Sequence, residues 1–553
     1  MEKIKNYIKE KKNIIFVFVI VVFVLSLPLM QYKISIADDH LFHFSRIQSI
    51  TDCLKNGVFP VKVHTNMANS CGYGAGLFYP NLFLYIPAVI NLFISNVAVS
   101  YKIFTVIILA TLFILSYISI KAVTKDTKTA LLGTILIMFS KGLIHNLYDR
   151  TALGELIGFV FITPIICGLY NYVHDDFDKP YLIAIGFIGV ANSHLITTLI
   201  CIIFSILYFL INIKSSIKNP KKFLKLLLTA IVVILLSTAF WLPMLEQLSV
   251  QEFNLSHPWT SIKDEEYYPM DLFGTGKYSI GLIVTAFMPM LIYGLVDRKV
   301  DKKVKPFIFL TIFIMFLMLC GPFWTLTNNF SNIIQFKWRL LGIITILSSI
   351  CISMLIKNYV TPINIKFEHI IIVLTAICMI YTIIIMNDTI KNHNTCSPEY
   401  IETIIYGIPE SIGGGQEYLP VELDYDKLQL NSYIAFLDNN QQIPVAKDGI
   451  RTTAYIEQGY KATFAEVPCI YYLGYVSNIT SPEGVVTPLA VEKSENGLVK
   501  VIVPDNLYGT INVWYDGTEI QEISYFVSFA TIIIVCVGFA IYKYRKCKKA
   551  SSK

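Results

Sequence analysis

The first apolar stretch of the chain, residues 14–30, has the sequence IIFVFVIVVFVLSLPLM. A helix rises about 1.5 Å per residue, so a stretch of this length nearly crosses a hydrocarbon layer of about 30 Å. Lysines precede it and no small-residue cleavage site follows it, which favours a retained anchor over a cleaved signal peptide. We therefore expect residues 14–30 to form a first transmembrane helix.

The composition predicts many more such helices. The 553 residues are 54% hydrophobic and 15% charged, whereas about a quarter of the residues in a soluble protein are charged. Apolar runs of comparable length recur at 101–120, 129–147, 156–173, 226–244, 279–297, 306–323, 340–356, 368–387 and 523–542. The sequence therefore predicts a polytopic α-helical membrane protein with about 12–13 spans.

Two apolar segments depart from this pattern. Residues 181–213 are too long for one crossing, and a polar Asn-Ser-His break ends at His194. We expect two short helices there that turn at His194. The run Phe78–Ile94 contains two prolines, so we expect a kinked or interfacial element.

The distribution of basic residues predicts the topology. The net charge is +6, but the lysines and arginines gather in short loops between spans, where they set orientation, and nucleic-acid binding is not expected. The positive-inside rule then predicts a multi-pass protein of the cell membrane with both termini cytoplasmic. The segments expected outside are 31–77, 148–155, 245–278, 324–339 and 388–522.

Segment 388–522 differs from the rest of the chain. Its β-rich runs, Thr452–Ile456, Ile470–Tyr475, Leu498–Val503 and Thr510–Tyr515, alternate with turn signals such as Asp438-Asn439-Asn440 and Asp448-Gly449. The predicted domains are a transmembrane domain (1–387, with its first outer loop at 31–77), a small, mostly β extracytoplasmic domain (388–522), and a final transmembrane helix with a basic tail (523–553).

Ionisable residues open the first outer loop, where residues 38–46 read DDHLFHFSR. On a helix, Asp39, His43 and Arg46 would share one face, so we expect an amphipathic segment at the membrane surface. An acidic side chain there can act as a general base toward a hydroxyl, which makes Asp38 and Asp39 the candidate catalytic residues. The candidate substrate-binding residues of this segment are His40, His43 and Arg46. Alternatively, one aspartate caps the helix, because the preceding sequence fits a capping box.

More ionisable residues lie at the predicted outer ends of apolar runs, where an unpaired charge is costly. They are Asp149, Arg150, Glu155, His194, Lys337 and Arg339. We predict that they bind substrate around one outward-facing cavity, because arginine presents a planar fork that suits phosphate oxygens. Arg150 and Glu155 can instead form an ion pair that stabilises a turn, and His194 can be structural. Trp338 is typical of the aromatic belt at a membrane interface.

Motifs for nucleotides and zinc are missing from the sequence. No GxxxxGK loop occurs and no GxGxxG motif follows a strand, so a cytosolic nucleotide is not expected as substrate. An activated donor must then reach the outer face, and a lipid-linked donor meets that need. The eleven cysteines form no CxxC pair. The sequence establishes no cofactor and leaves a divalent metal open.

Several short motifs follow one another along nearly the whole chain. They are Asp38-Asp39-His40 with Arg46, Gly57-Val58-Phe59-Pro60, Gly72-Tyr73-Gly74 with Phe78-Tyr79-Pro80, Arg150 to Glu155, Ser193-His194, Phe240-Trp241-Leu242-Pro243, Gln335 to Leu341, and Glu417-Tyr418-Leu419-Pro420. In this order they resemble the GT-C superfamily of polyprenyl-phosphate-sugar-dependent membrane glycosyltransferases, and within it the bacterial membrane proteins termed 6-pyruvoyl-tetrahydropterin synthase-related. The chain departs from the pattern at Lys337, where proline is expected, and at Gly154, where another small residue is common.

The resemblance implies an inverting glycosyltransferase that moves a sugar from a polyprenyl-phosphate donor to an extracytoplasmic cell-envelope acceptor. In such enzymes the first outer loop supplies the acidic catalytic residue, which maps onto Asp38 or Asp39. The implied partners are a polyprenyl-phosphate-linked sugar, a cell-surface glycan or polymer, and membrane lipid. Two alternatives stay open: a transporter or lipid flippase for envelope precursors, and a non-catalytic scaffold for envelope assembly.

The topology can be tested by cysteine labelling. In a background whose native cysteines are replaced, a membrane-impermeant maleimide should label Leu430→Cys in intact cells, because segment 388–522 is predicted outside. Lys549→Cys should react only after permeabilisation, because the basic tail is predicted inside. Labelling of position 549 but not of position 430 in intact cells would reverse the topology.

Overall fold

The computed structural model describes residues 2–257, 260–363, 366–405, 409–459 and 462–551. The chain divides into two compact units. Unit 1 comprises Met1–Leu41, Asn96–Ala230 and Pro258–Glu402, and unit 2 comprises Phe42–Ser95, Ile231–His257 and Thr403–Lys553. The domain boundaries near residues 387 and 522 stay a prediction.

Helices account for most of the described chain. In chain order they are α1 (Glu2–Ser26), α2 (His40–Lys55), α3 (Met67–Ser70), α4 (Ala75–Phe78), α5 (Tyr85–Ile94), α6 (Val97–Thr124), α7 (Thr127–Met138), α8 (Lys141–Ile144), α9 (Leu153–His174), α10 (Pro180–Ala191), α11 (Leu195–Ile211), α12 (Ile213–Ile217), α13 (Pro220–Leu236), α14 (Thr238–Val250), α15 (Pro269–Phe273), α16 (Leu282–Ala286), α17 (Met288–Val296), α18 (Lys305–Leu319), α19 (Gly321–Ser331), α20 (Leu341–Val360), α21 (Phe367–Lys391), α22 (Pro398–Ile404), α23 (Tyr425–Leu430) and α24 (Glu519–Ser551).

The long helices confirm a multi-pass membrane protein. Within the described residues, α1, α6, α9, α20, α21 and α24 are each apolar over a length that can cross a membrane. Three bent pairs pass the same test together: α7 with the segment that begins at α8 (43°), α13 with α14 (66°), and α18 with the segment that begins at α19 (91°). The count of about 12–13 spans stays a prediction.

The polar break at His194 divides two helices, as predicted. Helix α10 ends at Ala191 and α11 begins at Leu195. The Nδ1 atom of His194 accepts a hydrogen bond from the backbone N–H of Thr197 (3.2 Å), which satisfies one of the free donors at the start of α11.

The run Phe78–Ile94 of unit 2 is broken, as its prolines predict. Helix α4 ends at Phe78, a 3₁₀ turn follows at Leu82–Leu84, and α5 begins at Tyr85. Helix α5 has 10 residues, too few to cross about 30 Å.

Two sheets complete the described fold. In unit 1, β1 (Ile34–Ile36) pairs antiparallel with β2 (Asn394–Cys396). Unit 2 contains β3 (Ile434–Leu437), β4 (Gln442–Lys447), β5 (Thr452–Ile456), β6 (Phe464–Ile470), β7 (Tyr475–Thr480), β8 (Val486–Leu489), β9 (Val491–Lys493), β10 (Leu498–Ile502) and β11 (Gly509–Tyr515). These nine strands form one antiparallel sheet in the order β8-β7-β11-β5-β4-β3-β6-β10-β9, which confirms the β domain.

One predicted strand, Ile470–Tyr475, is wrong. Residues 471–474 connect β6 to β7. Tyr472 is buried with other aromatic residues of unit 2. The apolar residues of this segment therefore pack as a buried loop and do not pair as a β-strand. Gly474 has a φ of 118°, which a strand does not use.

Glycines set the close approach of α9 and α10 in unit 1. A Cβ on Gly189 of α10 would overlap the ring of Phe161 in α9, and a Cβ on Gly186 would collide with Ile165. Small residues let helix backbones approach closely in membranes, where apolar burial alone does not drive helix association.

Gly189→Leu should therefore lower the melting temperature of the detergent-solubilised protein. The leucine must displace Phe161, and overpacking of this kind typically costs about 1–3 kcal/mol. Gly538→Leu in α24 is the matched control, because a Cβ at Gly538 meets no atom within 4 Å. Equal melting temperatures for the two variants would contradict the packing described here.

Candidate functional site

The candidate site of unit 1 begins at a π-helical turn, His145–Asp149. The backbone N–H of Arg150 donates to the carbonyl of His145 (2.9 Å) and closes the wide turn. Such turns are frequent at functional sites. Thr151 follows with a φ of 56°, which is rare for a β-branched residue, and α9 begins two residues later. The turn thus brings the ionisable side chains of His145, Asp149 and Arg150 to the start of α9.

Arg150 links two carboxylates. Its guanidinium lies 3.2 Å from Oδ2 of Asp39 and 3.4 Å from Oε1 of Glu155. The backbone adds a second link, because the N–H of Asp39 donates to the carbonyl of Arg150 (3.0 Å). Asp39 is thereby held beside the start of α9.

Glu155 is the most enclosed carboxylate of the cluster, with a side chain that is 9% exposed. Its Oε1 atom accepts from Nε of Arg339 (2.9 Å) and lies 3.8 Å from Nε2 of His194. Arg339 also donates to the carbonyl of Ile334 (2.8 Å). A buried carboxylate is costly unless it is paired, and here cation-forming groups from three separate segments surround it.

A second network joins Asp38 to Asp149. The Nζ atom of Lys277 lies 3.2 Å from Oδ2 of Asp38 and 3.6 Å from Oδ1 of Asp149. Asp149 also lies 2.8 Å from Nδ1 of His145 and 3.5 Å from Nε2 of His393. Asp38 and Asp39 are therefore both engaged in ion pairs.

Trp338 lies between the two networks. The guanidinium carbon of Arg150 lies 4.3 Å from its ring centroid, and the ring of Tyr278 stacks on it at 5.1 Å with an interplanar angle of 12°. A cation over an aromatic face contributes about 0.5–2 kcal/mol. Trp338 is buried, and its place in an aromatic belt at a membrane interface stays a prediction.

Lys337 and His40 lie in unit 1 with protein partners of their own. The ammonium of Lys337 donates to the backbone carbonyl of Glu265, and its backbone N–H donates to the carboxylate of that residue. The buried imidazole of His40 packs edge-on against Tyr101, with ring centroids 5.1 Å apart. Their roles in substrate binding stay predictions.

His43 and Arg46 belong to unit 2, and the predicted surface helix is wrong for them. Helix α2 begins at His40, so Asp39 precedes it, and both His43 and Arg46 are buried. The guanidinium of Arg46 donates to Oδ1 of Asn81 (2.8 Å) and to backbone carbonyls. Protein acceptors satisfy the Nη2 group of this arginine, which helps to explain why it leaves the surface.

The electrostatics of the site change the pKa of Asp39 and of Lys277. Burial raises the pKa of Asp39, although the guanidinium of Arg150 opposes this effect. Burial lowers the pKa of Lys277, but the carboxylates of Asp149 and Asp38 outweigh it and hold that pKa above its usual value. Asp39 remains 34% exposed. It is therefore an accessible carboxylate with more affinity for a proton than usual.

The sequence left a divalent metal open, and the arrangement of possible metal ligands bears on this question. In the part of the chain that the structure describes, no group of three or more His, Cys, Asp and Glu side chains could hold a metal ion. The site carboxylates lie beside lysine, arginine and histidine.

Sequence reasoning missed His145, Lys277 and Tyr278. His145 stands four residues before Asp149, and that spacing was a usable signal, because residues four apart on a helix are neighbours. Lys277 and Tyr278 lie in the loop between α15 and α16. A loop has no periodicity that could have placed them.

No family model matches the chain. A protein of Lactococcus lactis subsp. cremoris (strain MG1363), described as an uncharacterized protein, is 24% identical over 339 residues. The matched region takes in 58% of this chain and 55% of the relative, so the chain spans about half of the length of that relative.

Two solved structures are similar to parts of the chain. Arabinofuranosyltransferase AftD from Mycobacteria is 9% identical with a TM-score of 0.47, over 68% of this chain and 27% of that one. Arabinosyltransferase EmbB from Mycobacterium smegmatis is 10% identical with a TM-score of 0.30, over 92% of this chain and 65% of that one.

Glu155→Gln should destabilise the protein strongly. The change keeps the size of the side chain but removes the carboxylate that pairs with Arg339 and leaves Arg150 with Asp39 alone, and breaking a buried ion pair typically costs about 3–5 kcal/mol. We expect a clearly lower melting temperature in detergent. Glu368→Gln is the control, because Glu368 is 52% exposed and pairs with an exposed lysine, an arrangement worth less than about 1 kcal/mol. If both variants melt alike, Glu155 is not the centre of the cluster.

Proposed function

We propose that this protein is a membrane glycosyltransferase of the GT-C type, which moves a sugar from a polyprenyl-phosphate donor to a cell-envelope acceptor with inversion. The observation that carries the proposal is the pairing of Asp39 with Arg150. It puts a proton acceptor and a phosphate-binding group in one place, which this reaction requires. The order of motifs that resembles the GT-C superfamily supports the same function.

Asp39 is the proposed general base, and Asp38 is the proposed positioning residue. A base works best when its pKa approaches the operating pH, and burial moves the pKa of Asp39 in that direction. Asp38 is 52% exposed and pairs with Lys277. Its carboxylate holds the loop lysine beside the residue that precedes the proposed base in sequence.

The proposed reaction is a single displacement. The acceptor hydroxyl gives its proton to Asp39 while its oxygen attacks the anomeric carbon of the donor. The bond between that carbon and the phosphate oxygen breaks, and polyprenyl phosphate leaves with the electron pair. The leaving phosphate is already a stable anion, so no acid has to protonate it. One displacement inverts the anomeric centre.

Arg150 and Arg339 are the proposed phosphate ligands. A guanidinium carries five N–H donors, more than the carboxylate of Glu155 alone can accept. The ion pairs with Glu155 hold both groups in place before the donor binds, and a preorganised cation stabilises the charge that develops on the phosphate. Lys337 is a weaker candidate, because Glu265 occupies its ammonium.

The positions of the carboxylates favour an enzyme over a transporter or flippase. Coupling-ion sites of transporters lie near the middle of the membrane. Glu155 lies in the first turn of α9, and Asp149 lies at the end of the segment that begins at α8. In the proposed orientation both termini are cytoplasmic, and the site faces the outer side, where an envelope glycan and the lipid-linked donor meet.

Asp39→Asn should lower the rate of sugar transfer by about 10²–10⁴-fold, because asparagine keeps the shape of the side chain but cannot accept the proton. Purified protein in lipid would be assayed for transfer from polyprenyl-phosphate sugars. Asp38→Asn should lose less, and Asp176→Asn, at an exposed position outside the site, should lose nothing. Full activity of the Asp38→Asn, Asp39→Asn double variant would remove both aspartates as bases.

The pH profile is a second readout of the same assignment. Transfer requires ionised Asp39, so the rate should fall on acidification with an apparent pKa above the ordinary aspartate value of about 3.9. Arg150→Gln removes the charge that lowers the pKa of Asp39. The acid limb of the remaining activity should therefore move to higher pH. A limb that stays in place would contradict Asp39 as the base paired with Arg150.

A further inference from the structure

A cavity of about 630 Å³ opens beside the network of Asp38, Lys277 and Asp149 in unit 1. Its polar lining includes Lys141, Lys277, Asp149 and Asp388, and its apolar lining includes Ile384 and Ile385. The volume lies within the range of about 300–1,000 Å³ that is typical of small-molecule sites. The phosphate-binding arginines proposed above are not among its described lining residues.

The charges that line this cavity balance. Lys141 and Lys277 supply two positive charges, and Asp149 and Asp388 supply two negative charges. A balanced lining does not concentrate anions, unlike a cluster of unpaired cations. The cavity therefore favours a neutral polar ligand over a lipid phosphate.

The two ammonium groups are also already engaged. Lys141 donates to the backbone carbonyls of Thr275 and Gly276, and Lys277 lies between two carboxylates. A phosphate would have to displace these partners, whereas sugar hydroxyls can donate to the carboxylates without displacing any cation. The hydrogen-bonding capacity that remains in the lining suits hydroxyl groups.

One wall changes from apolar to polar along a single helix face. Ile384 and Asp388 of α21 and Asn392, which directly follows this helix, succeed one another at intervals of four residues, so they lie along one side. Ile384 is 54% exposed, and α21 is apolar over a length that can span a membrane. A ligand on this wall would place hydrocarbon beside the isoleucines and a polar head beside Asp388.

His145 is a further group beside the cavity. It lines the cavity, it is buried, and its Nδ1 atom pairs with Asp149. Its Nε2 atom has no hydrogen-bond partner among the residues that the structure describes. A carboxylate at Nδ1 favours the tautomer with the proton on Nδ1, so the ring of His145 is held in a fixed orientation beside the cavity.

We propose that this cavity binds the acceptor and that the acceptor is a neutral glycolipid. Its sugar head lies among Asp149, His145 and Asp388, and its hydrocarbon tail follows Ile384 along α21. This inference rests on the proposed function and specifies one of its substrates. Lys277 lines the cavity and pairs with Asp38, which adjoins the proposed base in sequence, so a head-group hydroxyl beside this lysine lies next to the catalytic loop.

The test is photo-cross-linking with a defined probe. The full-length protein in phosphatidylcholine nanodiscs would be irradiated with a benzophenone-bearing monoglucosyl diacylglycerol, and the labelled peptides would be mapped by mass spectrometry. We expect label in α21 near Ile384. Unlabelled monoglucosyl diacylglycerol should displace the probe, whereas undecaprenyl phosphate and soluble maltose should displace it at least tenfold less well.

Two variants connect the label to the cavity. Ile385→Trp fills the apolar wall and should lower labelling at least tenfold, whereas Ile377→Trp, at an exposed position on the same helix that is not among the cavity-lining residues, should not change it. Asp388→Asn alters an exposed position without adding bulk and should lower labelling several-fold, which keeps the test decisive if Ile385→Trp fails to fold. Stronger displacement by undecaprenyl phosphate than by the glycolipid would overturn the proposal, as would equal labelling of Asp388→Asn and the parent protein.

Release of sugar from the polyprenyl-phosphate donor into water separates this inference from the proposed function. Ile385→Trp should keep that donor hydrolysis, because the cavity is assigned to the acceptor. Lost labelling with retained hydrolysis fits an acceptor cavity. Labelling of the parent protein without hydrolysis or transfer from any donor would reject the glycosyltransferase and leave a glycolipid site. Hydrolysis by the parent protein without labelling of α21 would reject the acceptor site alone.

Discussion

The buried carboxylate of Glu155 is the charge on which the described site of unit 1 depends. It lies in the first turn of an apolar helix, where an unpaired charge would be costly. Arg150 and Arg339 compensate it and His194 lies nearby, so the helix starts that carry these residues must converge. Because Arg150 is fixed in this way, Asp39 is held in turn by a carbonyl and a guanidinium. The position of the proposed base thus follows from the solvation of one carboxylate.

The same constraint explains what could be predicted from the sequence. Ionisable residues at the ends of apolar runs have few partners other than one another, so Asp39, Arg150 and Arg339 could be grouped without a structure. The break at His194 was equally visible, since three polar residues interrupt an apolar segment that is too long for one crossing. In both cases the low dielectric of the membrane leaves a polar or charged side chain few acceptable positions, so the sequence alone is enough to predict them.

It failed where partners come from irregular or buried backbone. Arg46 fits a helical face with Asp39, yet backbone carbonyls and Asn81 satisfy it in unit 2, and its position on a helix does not reveal these acceptors. Lys277 reaches the site from a loop whose conformation has no sequence period. The apolar residues after Ile470 look like a strand, because burial of a loop and burial of a strand favour the same residue types.

The loop lysine has a further consequence for the chemistry. Lys277 pairs with Asp38 and Asp149, while burial raises the pKa of the neighbouring Asp39. Adjacent carboxylates with different environments can divide their tasks, one as a fixed charge and one as a proton acceptor. A neutral acceptor would leave the balance of paired charges intact when it binds, whereas a second phosphate would upset it. The ion pairs of Lys277 therefore favour a neutral acceptor in the cavity and leave the donor phosphate to Arg150 and Arg339.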